Sequence, residues 1–339
     1  QRQAGQSTQM LETCARWLEL AKQDDDPAGA DRARLQLAHA WYRTGQFERA
    51  ESLLGEVLGQ LDDDSGSPIV QSARQELVRV LQARGNIEAA LDQAQTVAAG
   101  NGWWAQWSGT LSLAALKEQG GHLQEAEKLL EKATAIIDTS TESAQRVGLA
   151  RTYLLSNECN LALARGNYYR AVEAGEQLRS IAAESGAPDQ VREAVLNLGL
   201  AHMRLGNMQV ARRHLDRVYE WAQMSDDSRL LALATDFCSE HARHLGHSDE
   251  SRSLALEAIE IAGDSQRPDV LPWALLNAGR DYLAADQRAD ARYHFRRCRK
   301  MSKSLALRRP QLAARLHLHG SAQDADALKT TIEQCQDAG

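Results

Sequence analysis

The amino-acid sequence predicts an all-α solenoid of about seven to eight stacked helical hairpins. Three observations carry this. First, a turn residue followed five positions later by a small residue recurs along the chain. The pairs are Gly45/Ala50, Gly85/Ala90, Gly121/Ala126, Gly166/Ala171, Gly206/Ala211, Gly246/Ser251 and Asp286/Ala291, spaced by 40, 36, 45, 40, 40 and 40 residues. A fixed period near 40 is the signature of a helical-repeat array. Second, the prolines keep the same phase: Pro27, Pro188 and Pro268 each stand 18 residues before a turn position, and Pro68 stands 17 before. Proline suits a helix start, where its missing N–H costs nothing, and breaks a helix interior. Third, the chain is 43% apolar but only 5% aromatic, enough to fill continuous seams between helices with small and aliphatic side chains.

The elements follow in order. Met10, Leu11, Cys14, Trp17, Leu18 and Ala21 recur at helical spacing, so a half repeat occupies 5–22. Asp24-Asp25-Asp26-Pro27 ends it. The first full repeat spans 29–61, and Asp62-Asp63-Asp64-Ser65-Gly66-Ser67-Pro68 separates it from the second, at 69–99. The third, 103–137, opens on Trp103, Trp104 and Trp107 and turns at Gly120-Gly121. The fourth to seventh occupy 142–184, 188–224, 227–263 and 269–304. A short helix at 311–318, Gly320 and a last helix form a degenerate C-terminal cap at 311–336, as terminal repeats often do. Strand-type alternation persists nowhere. The pattern is already under way at Gln1, because Gly5 lies 40 residues before Gly45, so the expectation is a segment of a longer protein.

Charge and cysteines narrow the function classes. A net charge of −7 argues against a global nucleic-acid binder, and no apolar run reaches the ~18 residues of a membrane span. Cys14, Cys159, Cys238, Cys298 and Cys335 are odd in number and widely spaced, with no C-x-x-C, which predicts reduced thiols in a cytoplasmic protein. The phosphate-binding, dinucleotide, zinc-protease and nucleophile-elbow motifs are absent, so neither an enzyme nor a cofactor is expected.

The run Leu37-Ala38-His39-Ala40-Trp41-Tyr42-Arg43-Thr44-Gly45-Gln46-Phe47-Glu48-Arg49-Ala50 resembles a tetratricopeptide (TPR) repeat core. Leu198-Gly199, Gly206, Ala211 and Leu215 match the same pattern, as do Gly279, Tyr282, Ala291 and Phe295. The longer period resembles the long-helix TPR arrays of bacterial regulators and sensors. The resemblance covers residues 5–336 and implies a right-handed superhelix acting as a non-catalytic scaffold that binds a protein or peptide in its concave groove. A second implication is a ligand-sensing module controlling an attached DNA-binding, ATPase, cyclase or kinase domain, so another domain of the same polypeptide is also a candidate partner.

In such arrays the first helix of each repeat lines the groove. Counting from the turns places Arg32, Gln36, His39 and Arg43 there in the first repeat, and Glu76 and Arg79 in the second. The fourth repeat places Tyr153, Asn157 and Asn160, and the fifth Asn197 and Arg204. Phe237, Glu240 and His244 follow in the sixth, then Trp273, Asn277 and Arg280 in the seventh. Asn157, Asn197 and Asn277 share one repeat position, and an inward amide can pair with an extended peptide backbone. The Lys-x3-Asn start of a dicarboxylate clamp is missing. Separately, Arg292, Arg296, Arg299 and Lys300 lie in a basic patch on an acidic chain, a contact for an acidic partner, RNA or DNA phosphates or another domain of the same protein, or a solvated helix face. The tryptophan cluster fits either a binding surface or junction packing. His241, His244 and His247 are spaced for one helix face but lack a second ligand cluster.

Overall fold

The computed structural model describes residues 4–60, 67–225, 227–265, 267–322 and 325–337, and among them every regular element is an α-helix. Helix α1 (Ala4–Gln23) precedes the first hairpin, α2 (Pro27–Arg43) and α3 (Phe47–Gln60). The next hairpins are α4 (Pro68–Arg84) with α5 (Ile87–Ala98), α6 (Trp103–Gln119) with α7 (Leu123–Asp138), and α8 (Ala144–Ala164) with α9 (Tyr168–Glu184). They continue as α10 (Pro188–Arg204) with α11 (Met208–Met224), α12 (Ser228–His244) with α13 (Ser248–Asp264), and α14 (Leu271–Ala284) with α15 (Arg288–Ser304). Helices α16 (Arg308–Ala322) and α17 (Ala325–Asp337) end the described chain. Each helix packs on the one before it, and from α2 to α16 each even-numbered helix also touches the next even-numbered one. The even helices are therefore an inner layer and the odd ones an outer layer, the arrangement of an α-solenoid.

The turn residues do what their spacing predicts. Gly45, Gly85, Gly121, Gly166, Gly206 and Gly246 all have φ between 72° and 80°, and Asp286 adopts φ 56° in the same place. At Gly206 the chain reverses with paired bonds, Gly206 N–H to the Met203 carbonyl and Asn207 N–H to the His202 carbonyl, which satisfy the end of α10. Ala50, Ala90, Ala126, Ala171, Ala211 and Ala291, five positions later, are at most 1% exposed. Ser251 replaces alanine at the cost of one hydroxyl, whose single proton is shared between the Ser239 carbonyl (2.9 Å) and Asp281 Oδ1 (2.8 Å).

Two expectations need correction. Helix α16 runs through Gly320 to Ala322, so Gly320 does not make the turn expected there. Pro268 does not open its helix: α14 begins at Leu271, and Pro272 takes the first-turn position. The acidic loop 61–66 lies outside the described residues.

Glycine sets how closely the two layers approach. A Cβ at Gly279 would sit 2.5 Å from Phe295 Cε1, and one at Gly109 would meet the Ala98 backbone, with Cα at 2.6 Å. Phe295 thus fills the gap within its own hairpin, while also stacking on His317 of the next inner helix at 4.6 Å. We expect Gly279→Ala to lower stability by about 1–3 kcal/mol, because an aromatic ring can shift. Gly109→Ala should cost more, since backbone must move. Urea unfolding of both variants measures the order.

Candidate functional site: the interior cavity

The inner layer coils until its ends touch. Arg267, in the loop before α14, is 1% exposed and lies beneath the first hairpin. Its guanidinium sits 5.5 Å from the ring centres of both Tyr42 and Phe47 and donates through Nη1 to the Tyr42 carbonyl (3.3 Å), 225 residues away. Asp269 accepts from the same guanidinium at 2.9 Å. One turn further along the seam, a Cβ on Gly85 would meet Leu305 Cα at 2.8 Å, and Gln119 Nε2 donates to the Leu305 carbonyl (3.0 Å). Arg43 pairs with Asp227 (3.5 Å) and Arg309 with Glu118 (3.5 Å) across the same seam. Successive turns of the superhelix, about five repeats apart, therefore close on each other.

Beside this seam the inner helices border a half-open cavity of about 450 Å³, within the range of small-ligand sites. Its wall is polar and nearly balanced in charge. Five arginines (Arg43, Arg79, Arg192, Arg229, Arg267) face four carboxylates (Asp189, Glu193, Asp227, Asp269), with His39, Tyr42, Gln82, Gln119 and Tyr153 between them. Arg229 lies between Glu193 (3.4 Å) and Asp269 (3.5 Å), and Glu193, followed by Asp269, holds its pKa above the usual value. Burial alone would raise the Glu76 pKa, but His39 (2.9 Å) and Arg79 (3.2 Å) outweigh it and hold this carboxylate below its usual range. A second cavity of about 220 Å³ shares Gln82, Gln119 and Leu307 with the first and adds Asn157, Asn160, Trp273 and Arg309.

The expected groove residues divide into three sets. His39, Arg43, Arg79 and Tyr153 line the main cavity, and Asn157, Asn160 and Trp273 the second. Arg32 and Gln36 are exposed and line neither. Asn197, Arg204, Phe237, Asn277 and Arg280 are engaged within the fold. Asn197 Nδ2 donates to Asn160 Oδ1 (2.9 Å), Asn157 Nδ2 donates to the Tyr153 carbonyl of its own helix (2.9 Å), and Phe237 packs against the Val195–Leu215–Leu230 cluster. The shared asparagine position thus joins successive repeats at Asn197 and Asn277 rather than presenting free amides: both are buried and bonded to the preceding inner helix.

Asn277 is the hub of a buried charge network spanning α10 to α16. Its Nδ2 donates to both oxygens of Asp236 (3.0 Å each), while its Oδ1 accepts from Arg243 (3.2 Å) and Arg280 (3.3 Å). Arg204 grips Glu240 through two bonds, 2.7 and 3.0 Å, and Arg243 links Glu240 (3.2 Å) to Asp281 (3.3 Å). Burial opposes the charge on Glu240, but Arg204, Arg243 and Arg280 prevail and keep its pKa low. Asp236 has no such excess of cations: burial, aided by Glu240, pushes it up to about 7. Burial, with Arg280 and Arg243 nearby, drives His317 down to about 4.

The remaining candidates have structural roles. Trp107 is 2% exposed, Trp103 and Trp104 pack beside it, and Arg146 lies over both of the latter rings (5.6 and 5.7 Å), so the cluster fills the junction at the third repeat. His241 Nε2 bonds the Met208 carbonyl (3.0 Å), and among the described residues no group of histidines, cysteines and carboxylates could hold a metal ion. Arg292, Arg296, Arg299 and Lys300 lie on α15, in the outer layer and away from both cavities.

Sequence counting missed Glu193, Arg229, Arg267 and Asp269. A signal existed for part of this set: Asp189, Arg229 and Asp269 stand 40 residues apart, an acid–base–acid alternation at one repeat position. No local signal marks the burial of Arg267, whose aromatic and carbonyl partners, Tyr42 and Phe47, lie in the first hairpin.

With the fold in hand, comparison with known proteins places it among TPR-type α-solenoids. No protein-family model and no curated protein matches the chain. Among solved structures, it resembles a Rap protein complexed with competence and sporulation factor, with TM-score 0.69 and 12% identity over 92% of this chain and 88% of that one. It also resembles NprR in complex with its cognate peptide NprX, with TM-score 0.63 and 12% identity over 89% and 87% of the two chains. A third is a signal-transduction ATPase (STAND) protein with a tetratricopeptide-repeat sensor from Pyrococcus horikoshii, with TM-score 0.56 and 13% identity. That match covers 96% of this chain but only 52% of the other. At such identities the likeness shows the shared fold.

Two outcomes follow from the geometry. Arg267→Ala should lose roughly 2–4 kcal/mol, from two cation–π contacts and buried hydrogen bonds, and should open the seam. Denaturant melts and the radius of gyration from X-ray scattering measure this. Asp236 keeps its proton in the folded state up to about pH 7, whereas an unfolded Asp loses it near pH 4. The unfolded state therefore binds fewer protons in that window, and this residue lowers stability as pH rises from about 4 to about 7. Asp236→Asn should melt higher than the parent at pH 8, with the gap shrinking towards pH 4, as read by thermal melts across pH.

Proposed function

We propose that this protein is a non-catalytic regulatory scaffold that takes a short peptide into the interior cavity. The observation that carries this reading is the cavity wall itself. Arginines and carboxylates alternate around a half-open, polar space built from successive inner helices, which matches a zwitterionic chain of low net charge better than a polyanion or an apolar ligand. His39, Arg43, Arg79, Tyr153, Arg192 and Arg229 are the recognition residues, and Asn157, Asn160 and Trp273 extend the site into the second cavity. Two of the resembling structures are described as peptide or factor complexes, which supports the ligand class.

The reading includes regulation of a further domain. In its support, this chain spans about half of a signal-transduction ATPase whose TPR portion is described as a sensor. A cytoplasmic setting belongs to the same proposal and rests on five unpaired cysteines, of which Cys159, Cys238 and Cys298 are buried. No described helix is long and apolar enough to cross a membrane.

The test is a thermal-shift screen against pooled short synthetic peptides, followed by calorimetry. A ligand at about 100 times its Kd should stabilise the fold by about 2.7 kcal/mol. Arg79→Glu and Arg192→Glu should each weaken the selected peptide at least tenfold, about 1.4 kcal/mol. Equal binding by parent and variants, or no binder in any pool, would sink the reading.

A further inference from the structure

The outer helices α13 and α15 belong to adjacent hairpins and carry opposite charge. On α13, Asp249, Glu250, Glu257, Glu260 and Asp264 are exposed, against one base, Arg252. On α15, Arg288, Arg296, Arg299, Lys300 and Lys303 are exposed, and the one acid of the helix is Asp290. Internal pairing neutralises only the N-terminal ends: Arg288 with Asp286, Arg252 with Asp249, and Glu250 with His247 and Arg212. Beyond those ends, Glu260 and Asp264 on α13, and Arg296, Arg299, Lys300 and Lys303 on α15, have no ion-pair partner among the described residues.

We propose that two copies of this chain associate through these helices about a twofold axis. The axis runs parallel to α13 and α15 and midway between them. Such a rotation exchanges the two rows without sliding them, so the acidic row of each copy lies on the basic row of the other. The 40-residue period supplies the register. Glu257, Glu260 and Asp264 stand at the levels of Arg297, Lys300 and Ser304, and so oppose Arg296, Arg299–Lys300 and Lys303 of the second copy.

Two further observations favour another protein surface over a nucleic acid. Exposed apolar side chains stand within the face, Leu256 at 40% and Tyr293 at 56%. A duplex laid on α15 would also bring its phosphates within about one Debye length, ~8 Å, of the acidic row of α13. Two 17-residue helices offer a face of roughly 25 Å by 20 Å on each copy, at the lower end of specific interfaces, so the dimer is weak and salt-sensitive.

Sedimentation velocity of the intact chain tests this. We expect dimer at about 0.1 mM protein in ~50 mM salt, and at least tenfold weaker association at ~500 mM salt. Arg296→Glu with Lys300→Glu, and separately Glu257→Lys with Glu260→Lys, should each give a monomer. Mixing the two variants should restore the dimer, because a mainly acidic face then meets a mainly basic one, and this also shows that both remain folded. A monomeric parent at low salt overturns the proposal, as does a dimer indifferent to the reversals. Tight capture of a poly-glutamate peptide or duplex DNA by a monomeric parent assigns the basic row to that occupant and overturns it equally. The readout is independent of peptide entry into the cavity, so either idea can fail alone.

Discussion

A buried guanidinium anchors the seam where one turn of the superhelix meets another. Arg267 leaves water to lie against Tyr42 and Phe47, bonds the Tyr42 carbonyl and keeps Asp269 beside it. An isolated buried cation would be costly, but here π faces, a carbonyl and a carboxylate replace its hydration. The Gly85–Leu305 approach continues the same seam, and it is possible only because Gly85 has no side chain in the way. These contacts bring one turn of the coil against another, and the half-open cavity lies beside them.

Closure also explains why the inner layer is so polar. A solenoid wall that faced only solvent could carry any polar residue, whereas one facing another turn must satisfy each buried group. The response differs along the coil. Near Arg229 the ion pairs are single and long, and the space between them remains open as a cavity. Near Asn277 the groups mesh more tightly, with the amide bonded to Asp236, Arg243 and Arg280, although Asp281 Oδ2 is left without a partner among the described residues. The first region leaves room that a ligand of the proposed class would fill, and the second joins repeats in register, a use for which buried polar groups are well suited.

The outer layer follows different physics. Its helices are held by one apolar stripe each, as Ala291, Phe295 and Cys298 show for α15, and the rest of each surface is unconstrained by packing. Charge there can segregate by helix, and it does so between α13 and α15. Inner and outer surfaces therefore differ in kind: polar groups face a cavity on one, and charge is sorted by helix on the other.

How much of this was legible in advance depends on the range of the forces involved. The sequence alone determined the helices, the turns and the two layers, because these rest on local rules. A residue at positive φ every 40 or so positions ends one helix, and a small residue five places on seats the next; even Asp286 and Ser251 obey, each with a local compensation. Counting from those turns assigned His39, Arg43, Arg79 and Tyr153 to a concave groove, and in the structure the four line the half-open cavity. Tertiary structure alone decided that the coil closes, that Arg267 is buried, and that Asn197 and Asn277 bond to neighbouring repeats instead of facing a groove. Those outcomes depend on small rotations between hairpins that accumulate over about five repeats, and no short-range pattern encodes their sum.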